Sequence, residues 1–444
     1  MLRSLSLLGL VGLLTCASPR ARASAPERRA LPDYDGRPER TTPGDVALWV
    51  PRIALLPLYL TSEYLVRRPL GFLITAAERA ELPAALYDFF AFGADRKAGI
   101  IPTAFVDFGF LPSVGLYAFW DDAGFRGHDL RLHGSTWGSQ WLAGTVTDRM
   151  RLSETRSLTF SLTGERRPDH AFYGLGPESR PGDVSRYGAD KVEASATFRS
   201  GLWGASSLEG ASGYRSIEFR PGRYLNEPSV DAKVATGALP EPASYREGYG
   251  AGFSRLRVAL DSRPAQGGSA TGARLDVDAE EGTALRNAPA LGWLRYGGTL
   301  GGFLDLGDSG RVISLSLAGA LADPLGTRRV PFTELVTLGG PNLMPGFRAG
   351  RLSDRSAGVA TLRYSWPIWL WLNGSLQAAA GNVFGAGFAG ASFPKARLSG
   401  AVGIESSGSR DSIFQLLLGA GTETFENGAK LESLRLSIGA RSGF

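Results

Sequence analysis

The feature that most constrains this chain is a two-residue alternation of apolar and polar side chains that begins near residue 100 and runs to the C-terminus. Leu158, Phe160 and Leu162 alternate with Ser157, Thr159, Ser161 and Thr163, and Val192, Ala194, Ala196 and Phe198 with Lys191, Glu193, Ser195, Thr197 and Arg199. Leu275 and Val277 alternate with Arg274, Asp276 and Asp278, and Ile313, Leu315 and Leu317 with Ser314 and Ser316. Successive side chains of a strand point to opposite faces, so each set owns one face. So many uncovered apolar faces would aggregate in water. In a bilayer they are required, provided the sheet closes on itself, because hydrocarbon cannot satisfy the N–H and C=O groups of an open edge.

About sixteen such segments are countable, an even number, as in bacterial outer-membrane barrels. The long connections fall near 167–186, 220–245 and 322–355, the last between strands eleven and twelve. The expected fold is therefore an all-β membrane protein, an antiparallel transmembrane β-barrel of about sixteen strands over 98–444, preceded by a short helical segment. Composition agrees. Mean hydropathy is −0.06 although 43% of residues are hydrophobic, as outward apolar and inward polar side chains cancel. After residue 23 no run of about 18 uncharged apolar residues indicates a spanning helix.

The N-terminus reads as a secretory signal over 1–23: Arg3, the apolar Leu5–Leu14, and Ala21-Arg22-Ala23 as a small-x-small cleavage site. Residues 24–44, rich in Pro, Arg and Asp, read as a flexible leader. Residues 45–97 read as a periplasmic or plug-like amphipathic helical segment, with Leu70, Leu73, Ile74 and Ala77 on one helical face. The formal charge is +5, and Arg3, Arg20 and Arg22 leave with the signal. So small an excess argues against a nucleic-acid binder. Cys16 is the chain's one cysteine, so the mature protein has no disulfide to rely on.

The most specific stretch is Leu338–Trp369, where Leu338-Gly339-Gly340, Met344, Pro345-Gly346-Phe347, Arg348, Gly350-Arg351 and Asp354-Arg355 lead into a strand carrying Tyr364, Trp366 and Pro367-Ile368. Gly381-Asn382-Val383-Phe384 ends the next strand, and Phe172-Tyr173-Gly174-Leu175-Gly176 precedes it far upstream. These residues resemble the BamA/TamA family of outer-membrane assembly and translocation barrels, also called bacterial surface antigen barrels. The resemblance spans the barrel and is specific over about 338–385. It implies a long loop folded into the lumen, where the family's Arg-Gly-aromatic arginine is held by acids on the two following strands. Here Pro345 replaces that arginine, and the acids fall on Arg363 and Ala379, both expected to face the lumen. Removing a whole ionic cluster can be nearly neutral, whereas removing one member is costly. The loop is thus expected to remain inside, re-anchored through Arg348, Arg351 or Asp354-Arg355. The C-terminal Phe444 resembles the signal by which such barrels are recognised for insertion. The 45–97 segment lacks the alternating strands of POTRA modules.

Other chemistry is poorly supported by the residues. Asp121-Asp122 and His128-Asp129 superficially suggest an acid pair beside a His/Asp set, but turns collect aspartate for backbone reasons and no nucleophile motif accompanies them. Gly339-Gly340 is followed by no lysine, which argues against a phosphate loop. Three histidines leave little for a metal site. The lumen arginines, Arg255, Arg257, Arg274, Arg363, Arg435 and Arg441, suit a salt-bridged interior or an anion-favouring pore. No enzymatic activity, cofactor or metal is expected. The family resemblance implies insertion, assembly or translocation of outer-membrane components in a Gram-negative outer membrane. An opening seam, Ile100–Gly109 against Leu434–Phe444, would template an incoming strand. Expected partners are outer-membrane lipid, protein clients and periplasmic chaperones. The competing expectation is a passive pore or structural barrel that has lost the assembly role.

Overall fold

The computed structural model describes Tyr64, 89–93, 95–263, 271–286, 290–308, 310–340, 343–369, 372–406 and 412–442. The signal, the leader, most of the 45–97 segment and Phe444 lie outside the described residues. Of the two units into which the chain divides, Leu65–Phe444 holds all the strands described.

Sixteen antiparallel strands close into a barrel. They are β1 (Ala98–Asp107), β2 (Ser113–Trp120), β3 (His128–Thr136), β4 (Leu142–Arg151), β5 (Arg156–Phe172), β6 (Ser185–Gly201), β7 (Ser207–Pro221) and β8 (Tyr249–Asp261). The second half comprises β9 (Gly272–Arg286), β10 (Gly292–Asp305), β11 (Val312–Pro324), β12 (Ser356–Trp369), β13 (Leu372–Phe384), β14 (Arg397–Ser406), β15 (Ser412–Thr424) and β16 (Leu431–Ser442). Each strand pairs with its neighbour in sequence, and β16 returns to β1. Among the described residues no helix is long and apolar enough to cross a membrane. The crossing is made by strands.

The alternation sorts side chains as a lipid-immersed barrel requires. Leu315, Leu317 and Leu362 are each more than half exposed, whereas Glu280, Arg215 and Arg435, on the opposite face of their strands, are buried. Exposed aromatics mark both ends of the outer band: Phe108 and Trp137 at the end bearing the long loops, Trp120, Phe125 and Trp203 at the other. Such girdles sit at membrane–water boundaries.

The strands differ in reach. β1–β4 have 8–10 residues, whereas β5 and β6 have 17 each. β5 continues six residues past the point where alternation stops. Arg167-Pro168-Asp169 breaks the period, and a register shift between Arg167 and His170 lets the ladder resume to Phe172. A bulge admits extra residues without ending a strand, so the loop expected at 167–186 shrinks to 173–184.

Candidate functional site: the lumen loop and the closing seam

Residues 325–355 connect β11 to β12, and their described part runs inside the barrel. A short hairpin, Val336–Leu338 against Leu352–Asp354, forms the stem. Between its arms the chain makes a tight turn, with the Phe347 N–H donating to Met344 O at 3.0 Å. Pro345 occupies the first central position, which the fixed proline φ suits. Gly339 at the stem has φ +109, and a Cβ there would collide with the carbonyl of Arg348. The loop glycines seen in the sequence are thus demanded by backbone geometry.

The turn is pressed onto the inner wall of β14, β15 and β16. The Gly346 N–H donates to Ser399 Oγ at 2.8 Å, and Ser433 Oγ donates back to Gly346 O at 2.8 Å. A Cβ on Gly346 would come within 2.0 Å of the Ala420 carbonyl oxygen, far closer than van der Waals contact allows. Met344 and Phe347 are fully buried, in an apolar cluster with Leu338, Leu352, Val359, Ala379 and Val383. Ala379 therefore faces the lumen, beside Met344 and Phe347 and between its ladder partners Thr361 and Ser399, with no cationic side chain in that cluster. Arg363 also faces the lumen, opposite the exposed Leu362, and pairs with Glu405 of β14 away from the turn.

Four sets of charges hold the loop. Arg351 is 3% exposed, and its guanidinium pairs with Glu432 of β16 and donates to Ser179 Oγ at 2.8 Å and Ser179 O at 2.7 Å. Glu432 also pairs with Arg397 of β14, which donates to Pro177 O and Ser179 O. The 173–184 loop is drawn in as well: the Gly176 N–H donates to Ser353 O at 3.1 Å, and Tyr173 stacks under Arg351 at 4.7 Å. The two loop motifs singled out in the sequence thus pack on each other.

Glu334, near the start of the loop, accepts from Arg215 of β7 at 2.8 Å and from the Tyr249 hydroxyl at 2.5 Å. Arg215 also meets Glu193 and Glu280, and Arg255 and Arg295 complete the cluster. Arg355 pairs with Asp323 at the end of β11, and the Arg355 N–H donates to Asp354 Oδ1. Arg348 lies 3.8 Å from Glu227 and packs on Gly109, in the turn after β1.

Sequence parity alone would turn Glu432 outward, since Leu434 and Ile438 face lipid. The register shifts beside it: Gly421 pairs with Ser433 and Thr422 with Leu431, leaving Glu432 as the extra residue of a bulge. A bulge re-aims a side chain, and this one turns the carboxylate into the lumen. No local pattern announces it. Asp107 and Glu334 were likewise missed, because their partners lie far away in sequence.

The Asp/His sets flagged as catalytic look-alikes are absorbed structurally. Asp129 is buried against Arg149 and Arg151, Asp121 pairs with Arg131, Asp122 with Lys97, and His128 with Asp148. Among the described residues no group of three or more His, Cys, Asp or Glu could hold a metal.

Among the described residues the seam has the fewest register pairs of any junction in the barrel. β15 and β16 share eleven register pairs and β1 and β2 share eight. Between β16 and β1 there are three among the described residues: Ser437 with Asp107, Ile438 with Val106, and Gly439 with Phe105. At the other end of that β1 edge a two-residue strand, Ala91–Phe92, pairs with Ala98 and Gly99. Between them, Ile100–Ala104 have no ladder partner on this edge among the described residues. Pro102 lies in that gap and has no N–H to offer, and proline in a sheet belongs at edges.

No family model and no curated protein matches the sequence. Solved structures do match. BamA from Haemophilus ducreyi lacking POTRA domains 1–3 superposes with a TM-score of 0.52 at 14% identity, covering 78% of this chain and 70% of that one. CdiB from Acinetobacter baumannii gives 0.48 at 12% identity, covering 78% and 59%. FauA, an alcaligin outer-membrane receptor from Bordetella pertussis, gives 0.35 at 10%, covering 77% and 56%. At such identities the likeness to BamA is one of fold: the chain has a BamA-like outer-membrane barrel.

Proposed function

We propose that the protein belongs to the BamA/TamA-like family and assists insertion, assembly or translocation of outer-membrane components, in the outer membrane of a Gram-negative bacterium. The reading is non-enzymatic. β1 would offer its edge to an incoming strand, the seam would part, and backbone pairing would template the client.

The observation that carries this reading is the edge of β1. Three register pairs close the seam, and beyond a gap of five residues the same edge already accepts the added strand Ala91–Phe92. An edge that pairs with a segment in cis is competent to pair with one in trans. Partners consistent with this are lipid, unfolded barrel clients and the periplasmic chaperones that deliver them.

The test is depletion of the protein followed by quantification of the outer-membrane proteome. Loss of specific barrel proteins supports the proposal. An unchanged proteome with altered solute uptake would replace it with a passive pore.

A further inference from the structure

The inner wall at the seam carries a charge pair that the closing ladder does not need. Arg435 of β16 is 1% exposed, and it donates to both carboxylate oxygens of Asp107 at the end of β1, Nε to Oδ1 at 2.9 Å and Nη2 to Oδ2 at 2.7 Å. This two-pronged geometry spans the junction between first and last strands. Planar, bidentate pairing is the arrangement in which arginine is strongest and most directional. The remaining Nη1 of Arg435 reaches the carbonyl of Pro345, at the tip of the lumen loop, at 3.4 Å.

The same loop touches the first-strand side of the seam. Arg348, three residues beyond Pro345, packs so closely on Gly109 that a Cβ there would overlap its guanidinium. Gly109 lies two residues past the end of β1, and its carbonyl accepts from the buried Arg186 at 2.8 Å. The loop therefore reaches both sides of the junction, through a carbonyl on the β16 side and a side chain on the β1 side.

We propose that Arg435 and Asp107 form an inner-wall latch across the seam, and that the docked Pro345-Gly346-Phe347 turn holds it shut. The cationic member of the lumen contact lies on the wall and the loop supplies backbone carbonyl, so lifting the turn strips an acceptor from Arg435 and removes Arg348 from Gly109. Loop position thereby controls seam closure. This rests on the seam reading proposed above and adds its regulation, but its test reads the seam itself and involves no client.

Val106 and Ile438 are direct partners on the lipid face, so cysteines at these positions report the closed seam by forming a disulfide. The assay uses the full chain in lipid vesicles with Cys16, the one natural cysteine, replaced by serine. Folding of each variant is checked by its heat-dependent gel mobility. In the parent, oxidation should cross-link the pair rapidly. Asp107→Asn should slow cross-linking at least about ten-fold, because Arg435 is left buried without its counter-charge, and the exchange Asp107→Arg with Arg435→Asp should recover most of the rate. The decisive variant is Gly346→Val, which touches neither seam strand's pairing residues but lifts the turn. It should slow cross-linking several-fold while the barrel stays folded. Should Asp107→Asn fail to fold, Gly346→Val and Arg348→Ala carry the test alone. Parent-rate cross-linking in Gly346→Val, with tryptic cleavage after Arg348 proving the turn displaced, would overturn the coupling. Parent-rate cross-linking in a folded Asp107→Asn would overturn the latch.

Discussion

Replacing Glu432 by alanine should release the lumen loop without unfolding the barrel. Glu432 is the single carboxylate between two buried guanidiniums, Arg351 at 3% and Arg397 at 2% exposure. Deleting one member of a buried ionic set costs about 3–5 kcal/mol, since the others stay desolvated and unmatched. Here the carbonyls of Pro177 and Ser179 keep part of the arginines' hydrogen bonding, so the lower end, about 3 kcal/mol, is the better expectation. At 1.4 kcal/mol per decade this raises the population of the undocked loop roughly a hundred-fold. Trypsin reads that population directly, because Arg348 and Arg351 lie in the loop and are cleaved only when it opens; with fast reclosing, the cleavage rate follows the open fraction. Cleavage should rise about a hundred-fold in Glu432→Ala, while heat-dependent gel mobility of the barrel changes little. The combination Glu432→Leu, Arg351→Met and Arg397→Leu should return towards the parent rate, because replacing the whole set with apolar side chains is close to neutral. A parent rate in Glu432→Ala would refute the reasoning, for it would mean that the buried charges contribute nothing to docking.

Other expectations follow from single contacts. Pro102→Val restores an N–H on the part of the β1 edge that has no ladder partner among the described residues, so the seam should lengthen and the temperature at which the barrel loses its folded gel mobility should rise. Ala379→Glu places a carboxylate in the cluster around Met344 and Phe347, and tryptic cleavage of the loop should increase at least ten-fold at neutral pH. Asp122, in the turn between β2 and β3, is held below the usual aspartate range by the Gly127 N–H and by Lys97. A lowered carboxylate contributes stability above its ordinary pKa and loses it as pH falls through the depressed value. Hydrogen exchange at the Gly127 amide should accelerate only in strong acid, and Asp122→Asn should remove that pH dependence.

The barrel was legible because lipid enforces parity. Leu158, Leu315 and Leu317 had to face out, so Ser157, Ser314 and Ser316 had to face in, and the strands followed. The frame of the lumen loop was legible for a backbone reason, since Gly339 and Gly346 occupy positions where no side chain fits. What holds the loop was not legible. Glu432 enters the lumen only because a bulge breaks the parity of its strand. Asp107 meets Arg435 only because the sheet closes, a contact spanning nearly the whole described chain. Arg351 could be named as one of several candidate anchors, but choosing it required knowing where β16 bulges.

The short strands beside the seam also bear on the membrane. At about 3.3 Å per residue and a tilt near 45°, the eight residues of β2 span roughly 19 Å, and the 17 of β5 nearly 40 Å. Strands of about 9–11 residues at such a tilt suffice to cross, so β1–β4 end near the membrane surface while β5 and β6 carry their extra residues beyond it. The barrel rim is therefore lowest beside β1, whose Ile100–Ala104 edge has no ladder partner among the described residues, and rises over β5 and β6 on the side of the long loops.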